Sequence, residues 1–172
     1  MKYYWLSGFF LGFYSQYLYA ADPQTSSSFK VQATIENGCS IDNVEQKIDF
    51  GQHSALSNDK IVSNIINTNT TWNIRCTEDL PVNILLDGGE NLENKTRRMK
   101  NSTSSDYIAY KLYNSSGLTT EYSAGNTYSL PTTSVANHLV NFGVYGVVDL
   151  ENNNEARATG IYKDTVSIMI TW

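Results

Sequence analysis

Apolar and polar residues alternate without a break from Phe29 to Glu36, as Phe29-Lys30-Val31-Gln32-Ala33-Thr34-Ile35-Glu36, and from Val166 to Trp172 every second residue is again apolar, with Met169 the one apolar residue between them. A period of two sends successive side chains to opposite faces of an extended chain, whereas a helix needs apolar residues about every 3.6 positions. No window of a dozen residues shows the helical period, so the chain is restricted to sheets. Further strand-like runs cover residues 61–66, 70–76, 82–87, 107–113, 139–148 and 161–172. Turn-forming clusters separate them, among them Asp87-Gly88-Gly89, whose composition predicts a tight hairpin. Short strands at fairly even spacing predict an all-β antiparallel sandwich of the immunoglobulin kind. The Cys…Trp…Cys order of antibody domains is absent, because Trp72 lies only four residues before Cys76. A length of 172 residues suits one domain with a core.

Residues 1–20 have a different character. Lys2 is the only charge ahead of an apolar stretch that ends in Leu18-Tyr19-Ala20-Ala21. A basic start, an apolar middle and small residues at the end predict a signal peptide cleaved after Ala20 or Ala21. The run is short for a membrane span and contains Ser15 and Gln16. It also holds nine of the 21 aromatic residues, so much of the aromatic content belongs to targeting. Residues 22–28 read as a polar leader.

Export fixes the expectation for Cys39 and Cys76, the only cysteines. An even count in an oxidising compartment predicts a disulfide. Closing a loop of about 37 residues is worth roughly 4 kcal/mol in the chain-entropy account. A net charge of −5 argues against a nucleic-acid partner. Asn, Ser and Thr, at 18, 18 and 16 residues, supply the neutral polar surface usual in secreted β proteins.

The search for chemistry is short. The chain has no G-x-S-x-G, no H-E-x-x-H, no phosphate-binding glycine loop and no C-x-x-C, so neither catalysis, a metal site nor a cofactor is expected. His53 and His138 read as surface or loop residues. Lys95, Arg97, Arg98 and Lys100 read as a solvated strand edge. Asn69, Asn94, Asn101 and Asn114 satisfy N-x-[ST], a pattern that chance produces in so Asn- and Thr-rich a chain.

Several local patterns resemble one family. Cys39-Ser40-Ile41 after an alternating strand, followed by Ile48-Asp49-Phe50-Gly51, is similar to the amino-terminal pattern of the spore coat U domain, which forms the pilins of archaic chaperone–usher pili. Cys76 falls where that family's second cysteine is expected. Asp87-Gly88-Gly89, Arg98-Met99-Lys100-Asn101 and Tyr107-Ile108-Ala109-Tyr110-Lys111-Leu112-Tyr113 match its middle. Gly160-Ile161-Tyr162-Lys163-Asp164-Thr165-Val166, continued by alternation to Trp172, is its most specific signature.

The resemblance implies an incomplete immunoglobulin-like sandwich completed by a strand from a neighbouring subunit or chaperone. Residues 1–20 would be the signal peptide, 21–37 the leader and donor strand, and 38–172 the pilin domain. Phe29, Val31, Ala33 and Ile35 would form the donor face. Val166, Ile168, Ile170 and Trp172 would belong to the acceptor groove. Implied partners are a periplasmic chaperone, an outer-membrane usher and neighbouring pilin subunits, with export through the periplasm to a surface pilus that supports adhesion and biofilm formation. A surface-binding tip module and a secreted coat or matrix protein of the same fold are the alternatives.

Overall fold

The computed structural model describes residues 29–151 and 157–172. The expected signal peptide and polar leader lie outside the described residues. The chain divides into two units, Met1–Thr34 and Ile35–Trp172. Of the first, residues 29–34 are described. They join no strand ladder, and Phe29 and Val31 are 88% and 81% exposed. The alternating segment is thus strand-like in sequence but unpaired in structure. A lone extended segment has nothing to satisfy its backbone donors and acceptors.

The described residues of the second unit form eleven strands: β1 (Cys39–Ser40), β2 (Lys60–Ile66), β3 (Arg75–Cys76), β4 (Val82–Leu86), β5 (Arg97–Asn101), β6 (Tyr107–Tyr113), β7 (Thr127–Leu130), β8 (His138–Leu139), β9 (Gly143–Asp149), β10 (Tyr162–Lys163) and β11 (Ile168–Thr171). All their ladders are antiparallel. They form sheets ordered β10-β5-β6-β9-β2, β11-β4-β7 and β1-β3-β8. No helix among the described residues is long and apolar enough to cross a membrane.

The core lies between the inner faces of the five-stranded sheet and the β11-β4-β7 sheet. Ile65, Tyr110, Leu112, Val144 and Val148 project from the five-stranded sheet, and Val82, Ile84 and Leu86 from β4. Trp72 and Phe142 join them with ring centroids 4.9 Å apart. Every second residue of β4 is buried, the pattern expected of a strand with one face in the core. Buried Asn67 replaces ladder bonds where strands stop. Its Nδ2 donates to Ile74 O and Val140 O, and its Oδ1 accepts from Ile74 N.

Four expectations need correction. The run 70–76 reduces to β3, because Thr68 Oγ1 accepts hydrogen bonds from Thr70 N and Thr71 N while Thr71 Oγ1 donates to Ile66 O. Hydroxyls so used bend the backbone into a turn despite their β-branched shape. The run 139–148 breaks between β8 and β9, where the Asn67 bonds take over. The Asp87-Gly88-Gly89 stretch makes no hairpin, since β4 pairs with β11 and β7 and not with β5. The basic cluster is split by the pleat: Arg98 and Lys100 face outward, but Arg97 is only 3% exposed. Its guanidinium donates to the carbonyls of Leu86, Asp87 and Tyr122. Of the four N-x-[ST] triplets, the one at Asn101 has its asparagine buried, and its Oδ1 accepts from Thr103 N and Ser104 N.

Candidate functional site

The run 161–172 is the informative failure. It divides into β10, an edge strand of the five-stranded sheet, and β11, an edge strand of the sheet containing β4. Residues 164–167 carry the chain across from one sheet to the other. Two carboxylates hold this crossing. Asp164 accepts Tyr110 Oη at 2.6 Å, Glu90 N at 2.9 Å and Asn91 Nδ2 at 3.2 Å. Asp87 accepts Ser167 N and Gly89 N, each at 2.9 Å. Gly89 has φ +72°, and a Cβ there would come within 2.1 Å of Asp164 Oδ2. The glycines that suggested a hairpin are needed for this close approach instead.

Opposite the crossing runs the segment 39–55. Its alternate residues Gln46, Ile48 and Phe50 turn inward. Phe50 lies over Gly146 of β9, where a Cβ would sit 2.8 Å from the phenyl ring. Backbone bonds at its start are few: Asp42 N and Asn43 N both donate to Trp72 O. Among the described residues, no backbone–backbone hydrogen bond joins residues 44–53 to another segment.

Between these two segments lies an open groove, seen as three connected depressions of about 500, 480 and 770 Å³. The first is lined by Val44, Ile74, Ile170 and Trp172; the second by Ile65, Leu86, Leu112 and Val144; the third by Met99, Ile108 and Val148. Trp72, Val166 and Ile168 are common to the first two, and Ile48, Phe50 and Tyr162 to the last two. The core is therefore open along one side. Among the described residues, both flanks present backbone without a ladder partner: β10 pairs only with β5, β11 only with β4, and residues 44–53 with none. An extended segment laid here would find apolar floor beneath it and unpaired backbone beside it.

The expected acceptor residues Val166, Ile168 and Ile170 are half-buried along this groove, and Trp172, 57% exposed, closes one end. There the indole Nε1 lies 3.8 Å from the Cβ position of Gly38. Cys39 and Cys76 are disulfide-bonded at the same end, directly opposite one another in the β1–β3 ladder with Cα atoms 4.0 Å apart. The four expected donor residues are all exposed, Ile35 at 94%. Sequence reasoning missed the second wall, Val44, Ile48 and Phe50, though these too recur at even positions. It also missed Asp164 as the pin of the crossing.

Two tyrosines, Tyr110 lining the groove and Tyr122 in the core, are shifted from the usual phenol range. Burial, reinforced by the bond to Asp164, pushes Tyr110 above the usual phenol range, and burial pushes Tyr122 up to about 12. In the unfolded chain both lose their protons near pH 10. The folded chain then binds more protons than the unfolded one above that pH, so stability falls as pH rises. We expect the unfolding midpoint to drop progressively from pH 10 toward 12, in step with tyrosinate absorbance. A midpoint flat across that range would contradict the assignment.

A family model described as the Spore Coat Protein U domain matches residues 25–169. No curated protein matches the chain. Among solved structures, the fold is similar to a chain in the crystal structure of the CsuC–CsuE chaperone–tip adhesion subunit pre-assembly complex, from the archaic chaperone–usher Csu pili of Acinetobacter baumannii. The TM-score is 0.53 at 19% sequence identity. The match covers 81% of this chain and 40% of that one. With a groove in an otherwise closed sandwich and a family match over most of its length, the chain belongs to the Spore Coat Protein U domain family.

Proposed function

We propose that this chain is a structural subunit of a chaperone–usher pilus that polymerises by donor-strand complementation. The observation that carries the reading is the groove bounded on both sides by unpaired backbone, in a chain that also bears an exposed segment with one apolar face. Phe29, Val31, Ala33 and Ile35 of one copy fill the groove of the next, alongside Val166, Ile168, Ile170 and Trp172. Burying the three larger side chains contributes on the order of 5–10 kcal/mol gross, and pairing both open edges adds to it. Unfilled, such edges invite aggregation, which gives a periplasmic chaperone its role and an outer-membrane usher a protected substrate. Export to the cell surface, with adhesion and biofilm support, follows from a pilus role. No catalytic step is required by it.

Deleting residues 21–36 tests the reading. The truncated subunit is expected to accept a strand, and so to cap a growing fibre, but not to donate one. Mixed with full-length subunits in an assembly reaction, it should shorten fibres in proportion to its share. Fibres built from the truncation alone would overturn the assignment of the donor.

A further inference from the structure

Lys100 and Lys163 stand directly opposite one another in the β5–β10 ladder, both exposed. Like charges in that position are destabilising. Two other cations of the same sheet face are neutralised, Arg98 by Glu93 at 2.7 Å and Lys111 by Glu121 at 3.1 Å. Neither Lys100 nor Lys163 makes an ion pair among the described residues. Lys163 also stands on the rim of the groove. Lys47 reaches the same rim from the other wall but is held by Asp49 at 2.5 Å. A pair of unneutralised lysines beside the open groove favours an anion on whatever docks there.

The groove's two ends say where that anion comes from. Gly38, the root of a copy's own arm, lies at the Trp172 end. In a head-to-tail chain the body of the incoming copy must therefore sit at the Tyr162 end, and its arm must run antiparallel to residues 162–171. The pleat then restricts register. Val166, Ile168 and Ile170 face inward, so the arm's odd-numbered residues must pair with even-numbered ones. When Phe29 pairs with Ile170, Val31 with Ile168 and Ala33 with Val166, Glu36 falls directly opposite Lys163 and Thr34 opposite Thr165. A slip of two residues places Glu36 against Ile161 or Thr165 and loses the acid–base pair.

We propose that Lys163, with Lys100 beside it, receives Glu36 of the incoming copy and so fixes the register of the inserted strand. This rests on the donor-strand reading above. The partner is a second copy of this chain, and the site is specific to the residue just beyond its last apolar anchor.

Cysteine pairs in full-length fibres test the register. Cys39 and Cys76 already bridge a directly opposed antiparallel pair, so Thr34→Cys with Thr165→Cys is expected to give an inter-subunit disulfide ladder on denaturing gels. Thr34→Cys with Lys163→Cys, or with Ser167→Cys, should give none. The charge is tested separately: Glu36→Lys should speed release of an inserted strand about 2- to 5-fold, and adding Lys163→Glu should restore the wild-type rate. A ladder from a slipped pair, no ladder from any pair, or a charge swap as fast as Glu36→Lys alone would each overturn the proposal. Failure of the wild-type chain to form fibres would instead sink the donor-strand reading, and this proposal with it.

Discussion

Replacing Val31 and Ile35 together with Asp is expected to abolish fibre growth while leaving the subunit fully able to bind its chaperone. Each apolar side chain contributes roughly 1.5–3 kcal/mol when buried, so losing both removes about two-thirds of the gross burial term. The substitution also forces two carboxylates against a floor of Trp72, Ile65, Leu86 and Val144, with Lys47 and Lys163 only at the rim. Desolvating even one unpaired charge costs several kcal/mol, so the joint changes sign and does not merely weaken. On the proposed reading the chaperone occupies the groove and not the arm, and both substitutions lie on exposed residues, so folding and capture are expected to be untouched. Co-purification with the chaperone and electron microscopy of assembled fibres separate the two effects. Normal fibres from the double variant would remove the apolar face as the plug.

Asp164→Ala is the second large effect, and it acts on the acceptor. The change strands Tyr110 Oη, Glu90 N and Asn91 Nδ2 at once. Hydrogen bonds to a charged acceptor are worth more than neutral ones, and losing several together costs about 3 kcal/mol. That corresponds to a fall of roughly 10 °C in Tm for a unit of this size. The damage is local to the crossing, so the groove loses one wall and the affinity for a donor peptide should fall with Tm. Asp164→Asn keeps an acceptor and is expected to recover about half of both losses. The measurement is thermal unfolding of the subunit complemented by a peptide of residues 29–37, together with titration of that peptide. An Asp164→Ala subunit that unfolds and binds like the wild type would show that Asp87 alone holds the crossing.

What was legible in the sequence depended on whether a residue's local preference agreed with its tertiary surroundings. Residues 107–113 form β6 as expected, because alternation, β-branched and aromatic composition and flanking turns all agree there. Residues 70–72 carry the composition of a strand, but their hydroxyls found backbone partners nearby. β5 was hidden because Arg97 is charged yet buried, satisfied by carbonyls from residues 10 to 25 positions away. Asp87-Gly88-Gly89 carried a hairpin's composition while serving a contact with Asp164, far along the chain. The apolar faces of residues 29–35 and 166–172 could be read from period two alone, whereas their donor and acceptor roles were implied by the family resemblance. The opposite wall could not, because residues 44–53 lack the ladder that makes a strand recognisable.

The disulfide has a mechanical consequence. A pull on the arm reaches the domain at Gly38 and meets Cys39 one residue later. Through the bridge to Cys76, that load passes directly into β3 and the hydrogen-bonded loop behind it. Without the bridge it would travel along residues 41–59, of which 44–53 make no backbone–backbone hydrogen bond to another described segment to resist peeling. In a fibre joined as proposed, the covalent link would shield this wall of the groove from tension, so that stretching one joint would not loosen the groove of the subunit that bears it.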